Sequence, residues 1–338
     1  MKYNLKRVLV TGAAGCIGMA VCKELLRRNV QVVFFDLYEQ INRVKEYVDS
    51  RNIFFFGSIL DKSSLREAIR GCDAVIHLAA YLGVRRTELN RLRCLEINIE
   101  GTKNVLDAAI QSKMKKIVFA SSSEVYGEPS QNPVTEETVT QGKTIYAISK
   151  LAGEELVKAY NAEHNSLNYT ILRYFNTYGP FQIAQFVIPK FIHNVLKDKP
   201  PIIYGNGKQK RSYNFSEDTA RGTVDALYTV ATDNLVLNIG NSDELISLVD
   251  LAQKVIHISG KKDILSPKIL NNFQGTDRNR SREIFHRYCS TEKAKNIIGY
   301  ESKVPLEVGI EKVISRGVLQ PKWATSEKDY TIDDALLS

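Results

Sequence analysis

Over the first half of the chain, apolar residues fall in short continuous runs separated by stretches with helical spacing. Residues 7–11, 31–36, 52–56, 74–78, 116–120 and 169–173 read as strands. Each run is apolar throughout rather than alternating, as suits a strand buried on both faces of a parallel sheet. Between them, residues 17–29, 63–70, 98–111 and 146–164 carry helical spacing, with Ser63 expected to cap the second helix. Strand–helix alternation of this kind builds right-handed β–α–β units and a doubly wound α/β fold. After Asn176 the pattern changes. Helical spacing at 186–197 is broken by Pro200-Pro201, Gly205-Asn206-Gly207 forms a turn, and helices at 218–231 and 247–259 flank a strand at 236–239. The expected organisation is a core over 1–176, a smaller α/β substrate lobe over 177–320 with some return to the core, and a surface tail over 321–338.

The chain has 338 residues, of which 43% are hydrophobic and 25% charged, the balance of a folded chain rather than a disordered one. No apolar run approaches the roughly 20 residues needed to span a bilayer. Residues 1–7 lead straight into a strand without a signal-like segment, so a cytoplasmic protein with no membrane partner is expected. The five cysteines (Cys16, Cys22, Cys72, Cys94 and Cys289) are odd in number and show no CxxC spacing, which speaks against a disulfide framework or zinc site. The net charge of +8 is open to nucleic acid, a membrane surface or an anionic small molecule. Its basic clusters, at 113–116 and 278–287, come with no nucleic-acid-binding motif and read as solvated faces or as a site for an acidic ligand. No nucleic-acid partner and no metal are expected.

The first strand runs into Thr11-Gly12-Ala13-Ala14-Gly15-Cys16-Ile17-Gly18 and then a helix. Glycines at 12, 15 and 18 allow a tight turn, close approach to a diphosphate and close helix–strand packing. The helix start offers free N–H groups to the phosphates. Asp36, at the end of the second strand, stands where a carboxylate binds the adenosine ribose hydroxyls, which favours NAD over NADP. A Rossmann domain is therefore expected over 1–176.

The Gly-x-x-Gly-x-x-Gly spacing resembles the extended short-chain dehydrogenase/reductases. So do His77-Leu78-Ala79-Ala80, Asn98…Gly101-Thr102…Asn104, Ser121-Ser122-Ser123-Glu124-Val125-Tyr126-Gly127, Tyr146-Ala147-Ile148-Ser149-Lys150 and Arg173-Tyr174-Phe175-Asn176-Thr177-Tyr178-Gly179-Pro180. Together these are similar to the NAD-dependent nucleotide-sugar epimerase/dehydratase family over roughly residues 5–315. The resemblance implies NAD contacts from Gly12, Gly15, Cys16, Ile17, Gly18, Asp36, Ser58, Ile59, Leu78, Ala79, Ala80, Tyr146, Lys150 and Tyr174. One departure is Gly57-Ser58-Ile59, where the family usually has Gly-Asp-Ile. The resemblance also implies a homodimer built on the helices near 98–111 and 146–164.

Tyr146 and Lys150 lie four apart, on one face of a helix. A free tyrosine titrates near 10, so a base acting at neutral pH needs its phenolate stabilised, here by the Lys150 ammonium and a cationic nicotinamide. In the resembling family the tyrosine takes the proton from the sugar 4-hydroxyl as hydride leaves C4, and the lysine holds the nicotinamide ribose. Ser122 aligns with the family's catalytic hydroxyl, with Ser121 or Ser123 as the alternative. Glu124 is common in dehydratases and decarboxylases of the family, where it can remove the C5 proton, but it also reads as a structural carboxylate capping a turn. Ser123 stands where dTDP-type dehydratases have Asp. Gly142-Lys143-Thr144-Ile145 replaces the Pro-Arg that precedes the decarboxylases' tyrosine. On the substrate side the resemblance points to Ser123, Asn176, Val187 and Arg211, to one of Arg278, Arg280 and Arg282 for the diphosphate, and to Arg85 or Arg86 for the sugar. His77 reads as structural.

The implied function is NAD-dependent modification of a nucleotide-diphosphate sugar through a 4-keto intermediate, with 4-epimerisation ahead of 4,6-dehydration and of release of the keto sugar. A non-catalytic NAD-binding sensor on the same fold is the rival class.

Overall fold

The structure, a computed structural model, describes residues 1–270, 284 and 286–316, without the side chains of Val84 and Arg85. Arg278, Arg280, Arg282, the side chain of Arg85 and the tail expected at 321–338 therefore lie outside the described residues.

The first half alternates as its pattern predicts: β1 (Arg7–Thr11), α1 (Cys16–Arg27), β2 (Gln31–Asp36), α2 (Tyr38–Val44), β3 (Ile53–Phe56), α3 (Lys62–Ala68), β4 (Ala74–His77). Two short helices follow, α4 (Val84–Leu89) and α5 (Arg91–Leu95), then a π-helical turn at Glu96–Glu100 that leads into α6 (Gly101–Gln111). β5 (Lys116–Ser122), α7 (Ile145–His164) and β6 (Asn168–Tyr174) complete this half. The second half holds β7 (Thr177–Tyr178), α8 (Val187–Leu196), β8 (Ile202–Tyr204), β9 (Lys210–Ser212), β10 (Asn214–Phe215) and α9 (Ser216–Tyr228). It continues with β11 (Leu235–Ile239), β12 (Leu245–Ser247), α10 (Leu248–Ile258), β13 (Lys268–Leu270), β14 (His286–Arg287), α11 (Glu292–Ile298) and α12 (Leu306–Arg316).

Seven parallel strands form the main sheet in the order β11-β6-β5-β4-β1-β2-β3. The strand order reverses between β1 and β4, which opens a crevice at their carboxyl ends, the usual ligand position in such sheets. Both faces are covered, which is why the strands are apolar throughout. Val8, Val10, Phe34, Ile76 and Leu172 pack against Val21 and Leu25 of α1 and Val224 and Leu227 of α9. Leu9, Val33, Phe35, Val75 and Phe119 pack on the other face with Leu65 of α3, Val105 and Leu106 of α6 and Val157 of α7. The chain returns to this core from its second half through α9 and β11. The smaller lobe has its own apolar cluster, built from α8, α10 and α12 around Phe191, Leu251 and Ile310.

Two local expectations are corrected, and two short helices are not anticipated by the sequence. The cap of α3 is Asp61, whose carboxylate accepts the N–H groups of Ser63 and Ser64, and not Ser63. Lys116 belongs to no solvated basic face. It is fully buried, with Nζ bonded to the carbonyls of Ala226 and Thr229 and the hydroxyl of Thr232, and 2.7 Å from Asp233. It thereby ties the start of β5 to the end of α9. The helices at 84–95 carry no legible apolar stripe, because Leu89 and Leu92 stand exposed. Among the described residues no helix is long and apolar enough to cross a membrane.

Candidate active site

The loop after β1 is closed by steric need. Gly12 has φ +70°, and a Cβ there would sit 2.6 Å from the Ala79 nitrogen. A Cβ on Gly18 would sit 2.2 Å from the Gly12 oxygen, so only glycine lets α1 pass this close to the loop. Gly15 caps α1 with extended backbone and no side-chain cap. The amino end of α1 thus faces the crevice with the free N–H groups that anions seek.

β4 ends at this crevice, and His77 anchors it. Thr102 donates its hydroxyl to the Asn98 carbonyl (2.6 Å), so His77 Nε2 carries the proton and donates to Thr102 (3.1 Å). Nδ1 then accepts from Thr11 (2.7 Å), whose oxygen in turn accepts the Ala79 N–H (3.3 Å). Burial pushes the His77 pKa down to about 3, so the ring is neutral and structural. The chain of bonds fixes Leu78, Ala79 and Ala80 beside the glycine loop.

Asp36, at the end of β2, accepts the N–H groups of Ala14 (2.9 Å) and Leu37 (2.8 Å), one on each oxygen. Each oxygen keeps a lone pair for a further donor. Burial pushes this carboxyl up to about 6, against the pull of those two N–H groups and of Arg43. Ser58 accepts the Leu60 N–H, and Ile59 is buried against Gly101, where a Cβ would strike its side chain. Asn104 Nδ2 holds the Ile59 carbonyl at 3.1 Å. The short Gly101 and the amide of Asn104 on α6 thus set this loop.

α7 starts at Thr144, whose hydroxyl oxygen accepts the Ala147 N–H and donates to Glu124 Oε2 at 3.0 Å. The next turns carry Tyr146 and Lys150. Ser122 ends β5, accepts the Glu124 N–H at 3.2 Å, and lies near enough to the Tyr146 phenol for its hydroxyl to lower that group's pKa. Ser121 instead points to Glu154 at 2.5 Å, and Ser123 is buried. Lys150 is buried, donates to the Ala120 carbonyl at 2.8 Å and lies 5.8 Å from the Tyr146 ring centroid. Burial lowers its pKa to about 8. The phenol of Tyr146 departs from the sequence expectation: its pKa is raised, by burial first and then by Glu124 and Cys94, with the nearby Ser122 hydroxyl pulling it down. Among the chain's own groups, then, desolvation and a neighbouring carboxylate outweigh the lysine. Asn98, in the π-helical turn, bonds the Tyr81 N–H and carbonyl and the Ser149 hydroxyl (2.9 Å), and Ser149 donates to the Tyr146 carbonyl. The first turn of α7 is therefore pinned on two sides.

The other residues singled out in the sequence are spread more widely. Tyr174 lies in the α1/α9 layer with its hydroxyl 2.8 Å from that of Thr223. Cys16, first residue of α1, has its thiol pKa raised to about 12 by burial, with the Ser216 hydroxyl pulling it down. Ile17 packs on the same layer. Asn176 has φ +36° and donates to the Ser212 carbonyl at 2.9 Å. Val187 opens α8 and packs on the lobe's apolar cluster. Arg211, on β9, donates to the carbonyls of Lys210 and Ile284. Arg86 stacks over the Tyr81 ring at 4.0 Å. The sequence reading passed over Arg287, a buried arginine on β14. Its only signal was membership of the basic stretch 278–287, which composition alone reads as exposed.

A glycine loop at a helix start, a buried carboxylate at the end of β2, and Ser122 at the end of β5 near Tyr146 and Lys150 of α7 make the arrangement of a dinucleotide-dependent enzyme. The model of the NAD dependent epimerase/dehydratase family matches residues 8–240. The chain is 34% identical to the UDP-N-acetyl-alpha-D-glucosaminuronate decarboxylase of Bacillus cytotoxicus, covering 91% of this chain and 97% of that one. It is also 34% identical, with the same coverage, to a putative UDP-glucose 4-epimerase of Methanocaldococcus jannaschii. The crystal structure of UDP-glucuronic acid 4-epimerase from Bacillus cereus, in complex with UDP-glucuronic acid and NAD, superposes with a TM-score of 0.82 at 31% identity, over 92% of this chain and 98% of that one. This chain belongs to the NAD-dependent epimerase/dehydratase family.

The cradle fits that cofactor: Gly12 and Gly18 leave the space side chains would fill, the α1 start is uncapped, and Asp36 keeps free acceptor capacity. NAD affinity is expected to fall as pH drops through about 6, where Asp36 takes up a proton and loses an acceptor. A fluorescence titration of NAD across pH checks this, and Asp36→Asn should flatten the profile.

Proposed function

We propose that the protein is a nucleotide-sugar 4-epimerase that works through a 4-keto intermediate. The observation that carries this reading is the meeting of Ser122, Tyr146 and Lys150 beside the glycine cradle. The named relatives, which include epimerases acting on UDP-sugars, support it.

NAD, when bound, accepts and returns the hydride at the sugar C4. Tyr146 takes the proton of the C4 hydroxyl as the alcohol becomes a ketone and gives it back on reduction. Ser122 donates a hydrogen bond to the same oxygen and so steadies the proton transfer. Lys150, held by the Ala120 carbonyl, binds the nicotinamide ribose and places a positive charge beside the phenolate. The lobe formed by α8, α10 and α12 would hold the nucleotide, with Arg211 on its diphosphate. Epimerisation follows when the keto sugar turns over and is reduced on its other face.

The purified protein should convert at least one UDP-, GDP-, dTDP- or CDP-sugar to an isomer of unchanged mass. Loss of water would indicate 4,6-dehydration with Glu124 as the C5 base. Loss of carbon dioxide would indicate decarboxylation, and loss of two hydrogens release of the keto sugar. No turnover on any of them would sink the reading.

We also propose a cytoplasmic homodimer. Five free cysteines suit a reducing compartment. Ile148 on α7, with Leu89 and Leu92 on the adjoining α4 and α5, presents apolar side chains to solvent. Sedimentation should give twice the chain mass, and Leu92→Glu with Ile148→Glu should give the single chain.

A further inference from the structure

Arg287 carries a buried positive charge with few partners. It stands on β14, in parallel register with Arg211 of β9, and is 5% exposed. Its Nη1 donates to the Gly127 carbonyl at 3.3 Å, and its Nε, also buried, has no acceptor among the described residues. No ion pair is formed with any carboxylate among the described residues, although the fields of Glu124 and Glu128 reach it. Burial lowers its pKa to about 10, so it stays charged at neutral pH. A guanidinium offers five N–H donors, and burying it without a counter-ion is costly. Such a group suits an anion that arrives with a ligand.

Its position says which anion. Glu124 is the charged group that acts on Arg287 most strongly, ahead of Arg211. Glu124 also acts on the Tyr146 phenol and is bonded to the cap of the catalytic helix. Arg287 Nη1 bonds the carbonyl of Gly127, which ends the turn that carries Glu124, and its strand neighbour is Arg211, so it lies between the reacting end of the site and Arg211, on the side of the sugar. Glu124 by itself would repel an acidic sugar, and a neighbouring guanidinium offsets that repulsion. A neutral hydroxymethyl group at C6 would leave the Arg287 charge uncompensated, whereas a carboxylate matches its planar donor fork.

We propose that Arg287 binds a carboxylate at C6 of the sugar, which makes a nucleotide-activated uronic acid the preferred substrate class. This rests on the nucleotide-sugar reading of the site.

The test uses the full-length, NAD-loaded protein, with UDP-glucuronate, UDP-glucose and UDP as probes in calorimetry and, for the two sugars, in kcat/KM. The wild-type protein should prefer UDP-glucuronate to UDP-glucose. Arg287→Gln should weaken UDP-glucuronate by about 30-fold or more, the usual cost of removing one partner of a buried charge pair, and leave UDP-glucose and UDP little changed. Arg287→Lys should restore part of the loss. Equal wild-type affinity for the two sugars overturns the proposal without any variant. A uniform loss on all three probes in Arg287→Gln also overturns it, because it would make Arg287 a diphosphate ligand. Wild-type binding of neither sugar would instead overturn the nucleotide-sugar reading, and this proposal with it. Matching thermal melts of wild type and variants separate a lost contact from a lost fold.

Discussion

Tyr146→Phe is expected to lower kcat by about a thousandfold, the scale of a lost general acid–base, while NAD affinity and melting temperature stay near wild type. The change removes one oxygen. That oxygen lies beside Ser122, and the ring keeps its place on α7 beside Lys150. Steady-state kinetics with a parallel NAD titration checks this, and activity within tenfold of wild type would rule Tyr146 out as the base. The same site predicts a pH effect. The base must be deprotonated, so kcat/KM rises with pH through the phenol's pKa. The Glu124 charge raises that pKa. Glu124→Gln should therefore move the rising limb to lower pH, even if it also lowers the maximum rate.

Glu154→Ala is expected to destabilise the protein by about 3–5 kcal/mol, because it leaves a buried guanidinium without its counter-charge. Glu154 and Arg173 join α7 to β6. Arg173 Nε and Nη2 reach the two carboxylate oxygens at 2.9 and 2.7 Å, and the Ser121 hydroxyl bonds the same carboxylate. Both side chains are almost fully buried, at 7% and 1% exposure. Arg173 Nη1 also donates to the Tyr126 hydroxyl, which donates to Asn238 of β11. One carboxylate on the catalytic helix thus organises three neighbouring strands. Denaturant unfolding should show a lower midpoint for Glu154→Ala. The double variant Glu154→Leu with Arg173→Met should recover much of the loss, since a buried pair exchanged for apolar groups of similar size is often tolerated. If the single variant melts like wild type, the pair is not the tie between α7 and β6 described here.

The polar residues of the family motifs divide into two kinds, and only the structure separates them. Asn98, Gly101, Thr102 and Asn104 touch no reacting atom, yet they set the loops that do, through His77, Ile59 and the first turn of α7. Ser121, Ser122 and Ser123 look alike in the sequence. In the fold, one bonds Glu154, the next accepts the Glu124 N–H beside Tyr146, and the third is buried. The split falls where β5 ends at Ser122 and a tight helical turn begins at Ser123, so the chain changes direction across the three serines.

The strands of the Rossmann half, the glycine cradle, Asp36 and the Tyr146–Lys150 spacing were all legible in the sequence. Each depends on residues close together along the chain, where side-chain period, glycine placement and helix spacing act directly. Arg287, Lys116 and the raised phenol of Tyr146 were not legible. A basic residue in a basic stretch reads as solvated, and whether it is buried depends on which distant elements close over it: β9 for Arg287, the end of α9 for Lys116. The tyrosine's proton affinity likewise depends on burial and on Glu124, a residue 22 positions earlier that the β5-to-α7 connection brings alongside. Local sequence determined the fold class and the spacing that sets Tyr146 and Lys150 on one face of α7. The tertiary structure decided which groups are desolvated, and desolvation raises the proton affinity of Tyr146 and leaves the Arg287 charge buried.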